Sequence, residues 1–520
     1  MSLGKSRAAL RGGALLFALA LAAACTAAPA PPTTAGATGA LAADRIQILH
    51  TGDIHGHLEA QVVSSGTSSF NQGGMAALAA LVDRYRARAP ERTLLLDAGD
   101  AWQGTFISNA NQGQAVVQAM SLMRYDAQVL GNHDFDWGQD VLARRAKEAS
   151  FPFLAANVID QSGATPSFAK PYIVKDLGIA KVAVLGLSRV DTPTVTKAAN
   201  TVGLRFLPLA DTLRRYIGEL RRAADIVVVL DHNGAQEDAR LAESVPDIDV
   251  IVGGHDHTPL RNGMLVGKTT IVDPGAYTEN LGHLELVIDP ATKHVVAASR
   301  GDELAAVASG RTAPDPQIAA LVAQRHADGE QYTSRVVGRT AQRLAVSRDE
   351  SPVGNLVADA LLEYGRQQGW GSDVAFYNSA GLRADLPAGD VSYGRLYEVL
   401  PFGDVVIGMR MTGDQLRAVF EKVAAGAGRL TIANARFVYH YGGASDHQLI
   451  SVTVAGEPID PARAYHVVTI DYLLGGGDGH DEFKAGTNLT FGDYEVDVVA
   501  AYMTAHSPVD AKIEGRVVAR

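Results

Sequence analysis

Five short polar clusters carry the side chains most able to do chemistry. They are Asp53-Ile54-His55-Gly56, Ala98-Gly99-Asp100, Gly131-Asn132-His133-Asp134-Phe135-Asp136, Asp231-His232 and Gly253-Gly254-His255-Asp256-His257. Aspartate, asparagine and histidine are nitrogen and oxygen ligands, suited to Zn, Mn, Fe or Co. A single metal leaves ligands to spare. Two metals about 3.5–4 Å apart, bridged by a carboxylate, use them all. The glycines in these clusters fit tight turns that bring ligands close together. Taken one at a time, such residues are ordinary. Asp134, Asp231 and Asp256 read as loop residues or helix caps, and Asp140 and His283 as surface residues. The argument for a site rests on the five clusters together.

Each cluster stands just past a short apolar run. Those runs are Ile46–Leu49, Thr93–Leu96, Gln128–Leu130, Ile226–Leu230 and Val250–Val252, with a sixth at Val182–Leu187. Helical patterns separate several of them, at Met75–Arg88, Gln114–Met123 and Ala210–Arg222. Strands alternating with helices predict a layered α/β domain. In such a fold the carboxyl ends of neighbouring strands line one crevice. Clusters spread over some 200 positions can thereby meet at one point. Asp315-Pro316 then opens a segment, Gln317 to about Gly329, that reads as one exposed helix. Beyond Arg335, Ser351-Pro352 begins a helix with Val353, Leu356, Val357, Ala360, Leu361 and Tyr364 at helical spacing. β-type runs follow at Val374–Tyr377, Val405–Met409, Arg436–Tyr441 and Leu449–Val454.

The chain has 520 residues, 47% apolar and 20% charged. That length exceeds one typical domain, and the composition excludes wholesale disorder and a polytopic membrane protein. The net charge of −11 disfavours a nucleic-acid polymer as partner, because backbone binders are basic. One cysteine permits neither an intrachain disulfide nor a cysteine metal site. Lys5, Arg7 and Arg11 precede an apolar stretch, Ala14 to Ala24, too short to span a bilayer; it reads as a signal peptide. Leu21-Ala22-Ala23-Ala24-Cys25 resembles a bacterial lipoprotein box, which implies export and a lipid anchor at Cys25. A plain secretory cut is the other reading. Residues 26–43 are rich in Ala, Pro and Thr and read as a flexible tether. No other run approaches the length of a transmembrane helix.

The order D-x-H-G, G-D, G-N-H-x-F-D, H, G-G-H-x-H resembles the calcineurin-like metallophosphoesterases, and within them the 5′-nucleotidase family. In the second half Asn378-Ser379-Ala380-Gly381-Leu382-Arg383 resembles that family's N-x-G-G-I-R segment. Pro401-Phe402-Gly403 and Gly476-Gly477-Asp478-Gly479 match it too. The resemblance covers about residues 45–515. It implies an N-terminal four-layer α/β/β/α sandwich over 44–310, a connecting helix over 311–334 and a smaller C-terminal α/β substrate-binding domain over 335–520. It also implies two divalent metals. Asp53, His55 and His257 would bind the first, Asp100 would bridge, and Asn132, His232 and His255 would complete the second. His133 and Asp136 would form a catalytic pair. A metal-bridging hydroxide would attack phosphorus in line, with Asn132 and His133 stabilising the transition-state charge.

The resemblance further implies that Arg383 holds a phosphate or carboxylate, that Asn378 is a hydrogen-bonding partner of the substrate, that Asp478 accepts from ribose hydroxyls and that Tyr472 stacks on the base. A second ring is expected within Arg429–Phe437, where Ile432 takes its place. Ser351-Pro352 stands near a phosphate-binding arginine of some relatives, and Ser379-Ala380 replaces a glycine. The implied activity is hydrolysis of 5′-nucleotides, with domain closure completing the site. UDP-sugar, cyclic-nucleotide and sulfur esters are alternatives on the same fold. A non-catalytic nucleotide-binding surface lipoprotein is the alternative of another class; it would lack a ligand or the His133–Asp136 pair, and the sequence retains both.

Overall fold

The computed structural model describes residues 40–520 except 66–67, 299–302, 309–312, 348, 427 and 441–448. The expected signal peptide, Cys25 and most of the expected tether lie outside the described residues.

Alternation at period two builds the first half. Ile46 and Ile48, Leu94 and Leu96, and Val182 and Val184 point into one core. Leu49 and Leu95 enter a second, and Ala183 and Leu185 a third. Strands apolar on both faces must be covered on both. Here two sheets face each other across the middle core, with helices outside. The first sheet runs Val295–Ala298, Asn280–Ile288, Arg45–Thr51, Thr93–Asp97, Ala127–Val129, Phe153–Leu154, and Glu303–Ala306 also pairs with Asn280–Ile288. Its strands from Arg45–Thr51 to Phe153–Leu154 are parallel. The second sheet runs Met264–Val266, Thr269–Val272, Val250–Val252, Ile226–Asp231, Lys181–Leu187, Tyr172–Asp176, with its inner four strands parallel. Helices Met75–Arg86 and Gln114–Leu122 cover the first sheet, and Leu209–Ala223 and Ala235–Ser244 the second. This is the four-layer order expected from the sequence.

The connecting helix, Pro316–Thr333, is largely exposed, as expected, and is anchored at a few apolar positions. Ile318 is buried, and Leu321 and Val322 pack on the first half's outer core. His283 is a correction. It is not a surface residue but 4% exposed, its ring 4.5 Å from that of Tyr85 and its Nε2 3.2 Å from Gln47 Oε1. Its strand pairs with Arg45–Thr51, which turns that side chain inward.

The second half has a core of its own. A five-stranded sheet orders Leu430–Ala433, Val374–Asn378, Ala464–Ile470, Val405–Thr412 and Thr487–Tyr494, and a four-stranded sheet contains Ala435–Tyr439 and Leu449–Val454. Ser351 caps the helix Pro352–Gln367 by accepting from Gly354 N at 3.0 Å. It is fully buried as a cap, which accounts for its residue type by local helix chemistry. The two halves touch through hydrogen bonds from Gln103 Nε2 and Asn109 Nδ2 to the Pro401 carbonyl, at 3.0 and 2.8 Å, and through the rings of Phe106 and Tyr397 at 5.3 Å.

Candidate active site

Parallel strands end side by side, so the loops after Thr51, Asp97 and Val129 in one sheet meet those after Leu187, Asp231 and Val252 in the other. All seven residues expected to hold metals stand in these loops. Asp53, His55 and His257 form one group, and Asp100, His232 and His255 another; within each, one ligand atom per residue lies within 4.8 Å of the others. His232 Nε2 is 3.0 Å from Asp100 Oδ2 and 4.0 Å from Asp53 Oδ1. His55 Nε2 is 3.9 Å from both Asp53 Oδ1 and Asp100 Oδ2. The two groups therefore adjoin.

The donor set fits divalent cations. Asp53 Oδ1, Asn132 Oδ1, His232 Nε2 and His255 Nδ1 are buried without a hydrogen-bond partner. Leaving such atoms unpaired costs about 1–3 kcal/mol each, a cost that coordination removes. His55 Nδ1 donates to the Gln103 carbonyl and His232 Nδ1 to the Ala98 carbonyl, at 2.9 and 2.6 Å. Each bond leaves the lone pair on Nε2, facing the site, as carbonyl partners of metal-bound histidines do. Asp53, His55, Asp100, His255 and His257 all adopt positive φ, from 47° to 89°. That conformation is costly for residues with a Cβ and gathers at functional sites. The loops close tightly around it: a Cβ on Gly131 would stand 2.1 Å from Asp100 Oδ1.

Asp134 is more than a loop residue. Its buried carboxyl accepts from the backbone N–H groups of Gly131, Asp100 and Ala101 and from Gln128 Nε2, locking two ligand loops together. Asp256 does cap from a distance, accepting from Ala235 N at the start of its helix. Asp231 is fully buried and accepts from Asn233 Nδ2 at 2.9 Å. Asp140 is exposed.

Beside the metal groups, His133 Nδ1 donates to Asp136 Oδ2 at 2.8 Å. Burial pulls the His133 pKa down, but the carboxylates of Asp136 and Asp100 outweigh it, and the net shift is upward. Thr196 Oγ1 donates to the other Asp136 oxygen at 2.7 Å.

His133 and Asp136 open onto a cavity of about 250 Å³ whose far wall comes from the second half: Asn378, Arg383, Phe402, Asp404, Tyr472 and Asp478. All four residues expected to bind substrate are among them. Arg383 Nη2 stands 3.4 Å from His55 Nε2, and its guanidinium lies 5.9 Å from the Phe402 ring centre. Tyr472 Oη donates to Asp478 Oδ1 at 2.8 Å, and Asn378 Nδ2 donates to Oδ2 at 3.2 Å. Asp478 is held at φ 52°.

The expectation for Ile432 is corrected. Ile432 is 1% exposed, pairs in register with Phe376 and belongs to the second half's core. The ring that shares the cavity with Tyr472 is Phe402, 5.3 Å from the His133 ring. The motif Pro401-Phe402-Gly403 is visible in the sequence, but nothing in it assigns Phe402 a role. Arg189, Thr196 and Lys197 line the same cavity and belong to no motif. Their signal is positional, because they follow the strand Lys181–Leu187 as the ligand clusters follow theirs.

Comparison with known proteins matches residues 46–259 to the calcineurin-like phosphoesterase family and residues 332–485 to the 5′-nucleotidase C-terminal domain. A snake venom 5′-nucleotidase from Naja atra is 28% identical over 91% of this chain and 98% of its own length. The crystal structure of a 5′-nucleotidase precursor from Thermus thermophilus superposes with a TM-score of 0.84 at 28% identity, covering 91% of this chain and 99% of that one. The sulfate thiohydrolase SoxB of the same genus shares the fold, with a TM-score of 0.78 at 21% identity over 91% of this chain and 96% of its own.

Proposed function

The chain belongs to the 5′-nucleotidase family of calcineurin-like metallophosphoesterases and is a phosphoric-ester hydrolase dependent on two divalent metals; we propose that its substrate is a 5′-nucleotide, cleaved to nucleoside and phosphate. One observation carries this reading. The two Asp/His groups and the His133–Asp136 pair adjoin a cavity that also holds two aromatic rings and an arginine. Asp53, His55 and His257 would hold one metal, Asn132, His232 and His255 the other, with Asp100 between them. Bound there, the cations would supply Lewis-acid charge.

The chain's own residues would do the rest. Arg383, between the metal groups and Phe402, offers its planar fork to the phosphate. His133, its proton affinity raised by Asp136, would stabilise charge gathering on the phosphoryl oxygens. Phe402 and Tyr472 take the faces of the base, at about 1–3 kcal/mol per stacked base. Asp478, oriented by Tyr472 and Asn378, accepts from the ribose hydroxyls. Two rings and a hydroxyl acceptor favour a nucleotide over a sulfur ester. The division into 44–310, 311–334 and 335–520 is supported by the separate core of the second half. The N-terminal sequence supports export with a lipid anchor at Cys25, which the mass of the mature N-terminus tests.

The decisive assay is phosphate release by the mature protein with Mn or Zn, from AMP, UDP-glucose, 2′,3′-cyclic AMP and an aryl phosphate. AMP should lead the panel. Turnover of the aryl phosphate alone would remove nucleotides as the substrate class and keep the metal chemistry.

A further inference from the structure

The loop after the strand Lys181–Leu187 touches both sides of the site through adjacent residues. Thr196, 4% exposed, donates to Asp136 Oδ1, while Asp136 Oδ2 accepts from His133. Asn200 Nδ2 adds a bond to the Asp136 carbonyl at 2.7 Å. The next residue, Lys197, reaches into the second half. Its Nζ lies 3.3 Å from Asp404 Oδ1 and 3.1 Å from Asp471 Oδ2. Asp404 stands two residues after Phe402, and Asp471 immediately precedes Tyr472. Asp471 Oδ1 also accepts from Val405 N at 3.0 Å, joining the two ring-bearing loops to each other. An unbroken series of contacts thus runs from the cavity's aromatic walls to the imidazole of His133.

We infer that Thr196 and Lys197 are positioning residues that couple the seating of a nucleotide between Phe402 and Tyr472 to the alignment of the His133–Asp136 pair. The inference rests on the proposed function, since it takes that pair as catalytic. Neither residue belongs to the metal groups. A substrate that holds the two rings in place fixes Asp471 and Asp404, hence Lys197, hence Thr196 and the second oxygen of Asp136. A small ester that does not reach the rings draws no help from this connection.

The test is steady-state kinetics of the Mn-loaded mature protein on AMP and on an aryl phosphate. For Lys197→Met the expected result is a fall of about tenfold in kcat for AMP, with KM within about threefold and aryl phosphate turnover within about twofold. Lys197→Arg, which still spans two carboxylates, should restore most of the loss. Thr196→Val should lower kcat for AMP and Thr196→Ser should rescue it. The double variant Thr196→Val/Lys197→Met should fall no further than the worse single one, because the two residues act in series. Metal content and thermal midpoint, measured on every variant, should match the parent. A rise in KM alone would reduce Lys197 to a binding contact and overturn the coupling. Equal loss on both substrates, or additive losses in the double variant, would overturn it too. His133→Ala is the separate arm: full AMP turnover in that variant would sink the catalytic pair itself, whereas its inactivity beside an unaffected Lys197→Met would sink only the coupling.

Discussion

At the scale of single residues, the site is built from side chains whose alternatives are costly. His133 donates one nitrogen's proton to Asp136 and faces the cavity with the rest of its ring. His133→Ala should lower kcat by about 10²–10⁴, the usual span for a general acid–base group, with bound metal unchanged by elemental analysis. Gly131 is a position where space itself is functional, because a methyl there would meet Asp100. Gly131→Ala should reduce metal content per chain, and a fully loaded variant would show that the loop yields. Phe402 and Ile432 make an informative pair. Phe402→Ala should raise KM for AMP and leave the aryl phosphate unaffected. Ile432→Ala should leave KM alone and cost about 2–5 kcal/mol of stability, as large-to-small core changes do. Denaturant unfolding and AMP kinetics on both variants separate the two roles.

At the scale of elements, loops at strand ends are positioned by neighbours far along the chain. The loop bearing Asp478 is pinned by His480, whose Nε2 donates to the Gly428 carbonyl at 3.2 Å. Burial pulls the His480 pKa below its usual 6.5, and so keeps the ring neutral. The unfolded chain therefore takes up the proton more readily than the folded one. His480 contributes its full stability above pH 6.5 and loses it progressively as pH falls below that value. His480→Gln retains a donor for Gly428 without a titrating ring. Its thermal midpoint should decline less between pH 7.5 and 5.5 than the parent's, and an equal decline would mean that His480 is not a source of acid sensitivity. The connecting helix has its own anchoring. Ile318, Leu321 and Val322 fasten it to the first half, and it also packs against the helix Tyr393–Val399 of the second.

At the scale of the whole molecule, the active site is assembled only where the halves meet. The groups able to hold metals come from the first, and the rings, Arg383 and Asp478 from the second. In this arrangement Arg383 reaches His55, and Lys197 reaches Asp404 and Asp471. The metal groups also bear on global stability. Asp53 and Asp100 are buried side by side, both within 4.0 Å of His232 Nε2, and cations that bind only the folded state add RT ln(1 + [L]/Kd), about 2.7 kcal/mol at a hundredfold excess over Kd. Chelation should lower the calorimetric midpoint, and returning Mn or Zn should restore it. An unchanged midpoint would mean that the groups hold no metal in solution.

The types and order of the candidate metal ligands are legible in the chain before it folds, and so is the alternation of strand and helix that brings them together. Both are local properties. Ligand chemistry belongs to the side chain, and a period of two or 3.6 is visible within ten residues. The placing of Asp53, His55, Asp100, Asn132, His232, His255 and His257 followed, because parallel strands must present their carboxyl ends together. The packed molecule alone reveals which ring faces Tyr472, that His283 turns inward and that Thr196 and Lys197 join the two halves. Each depends on a pairing between distant segments. Ile432 is buried because its strand lies against Phe376, Thr196 meets Asp136 across 60 positions, and Lys197 meets Asp471 across 274. A short sequence window contains no trace of such partners, since their energy arises only once the sheets have packed.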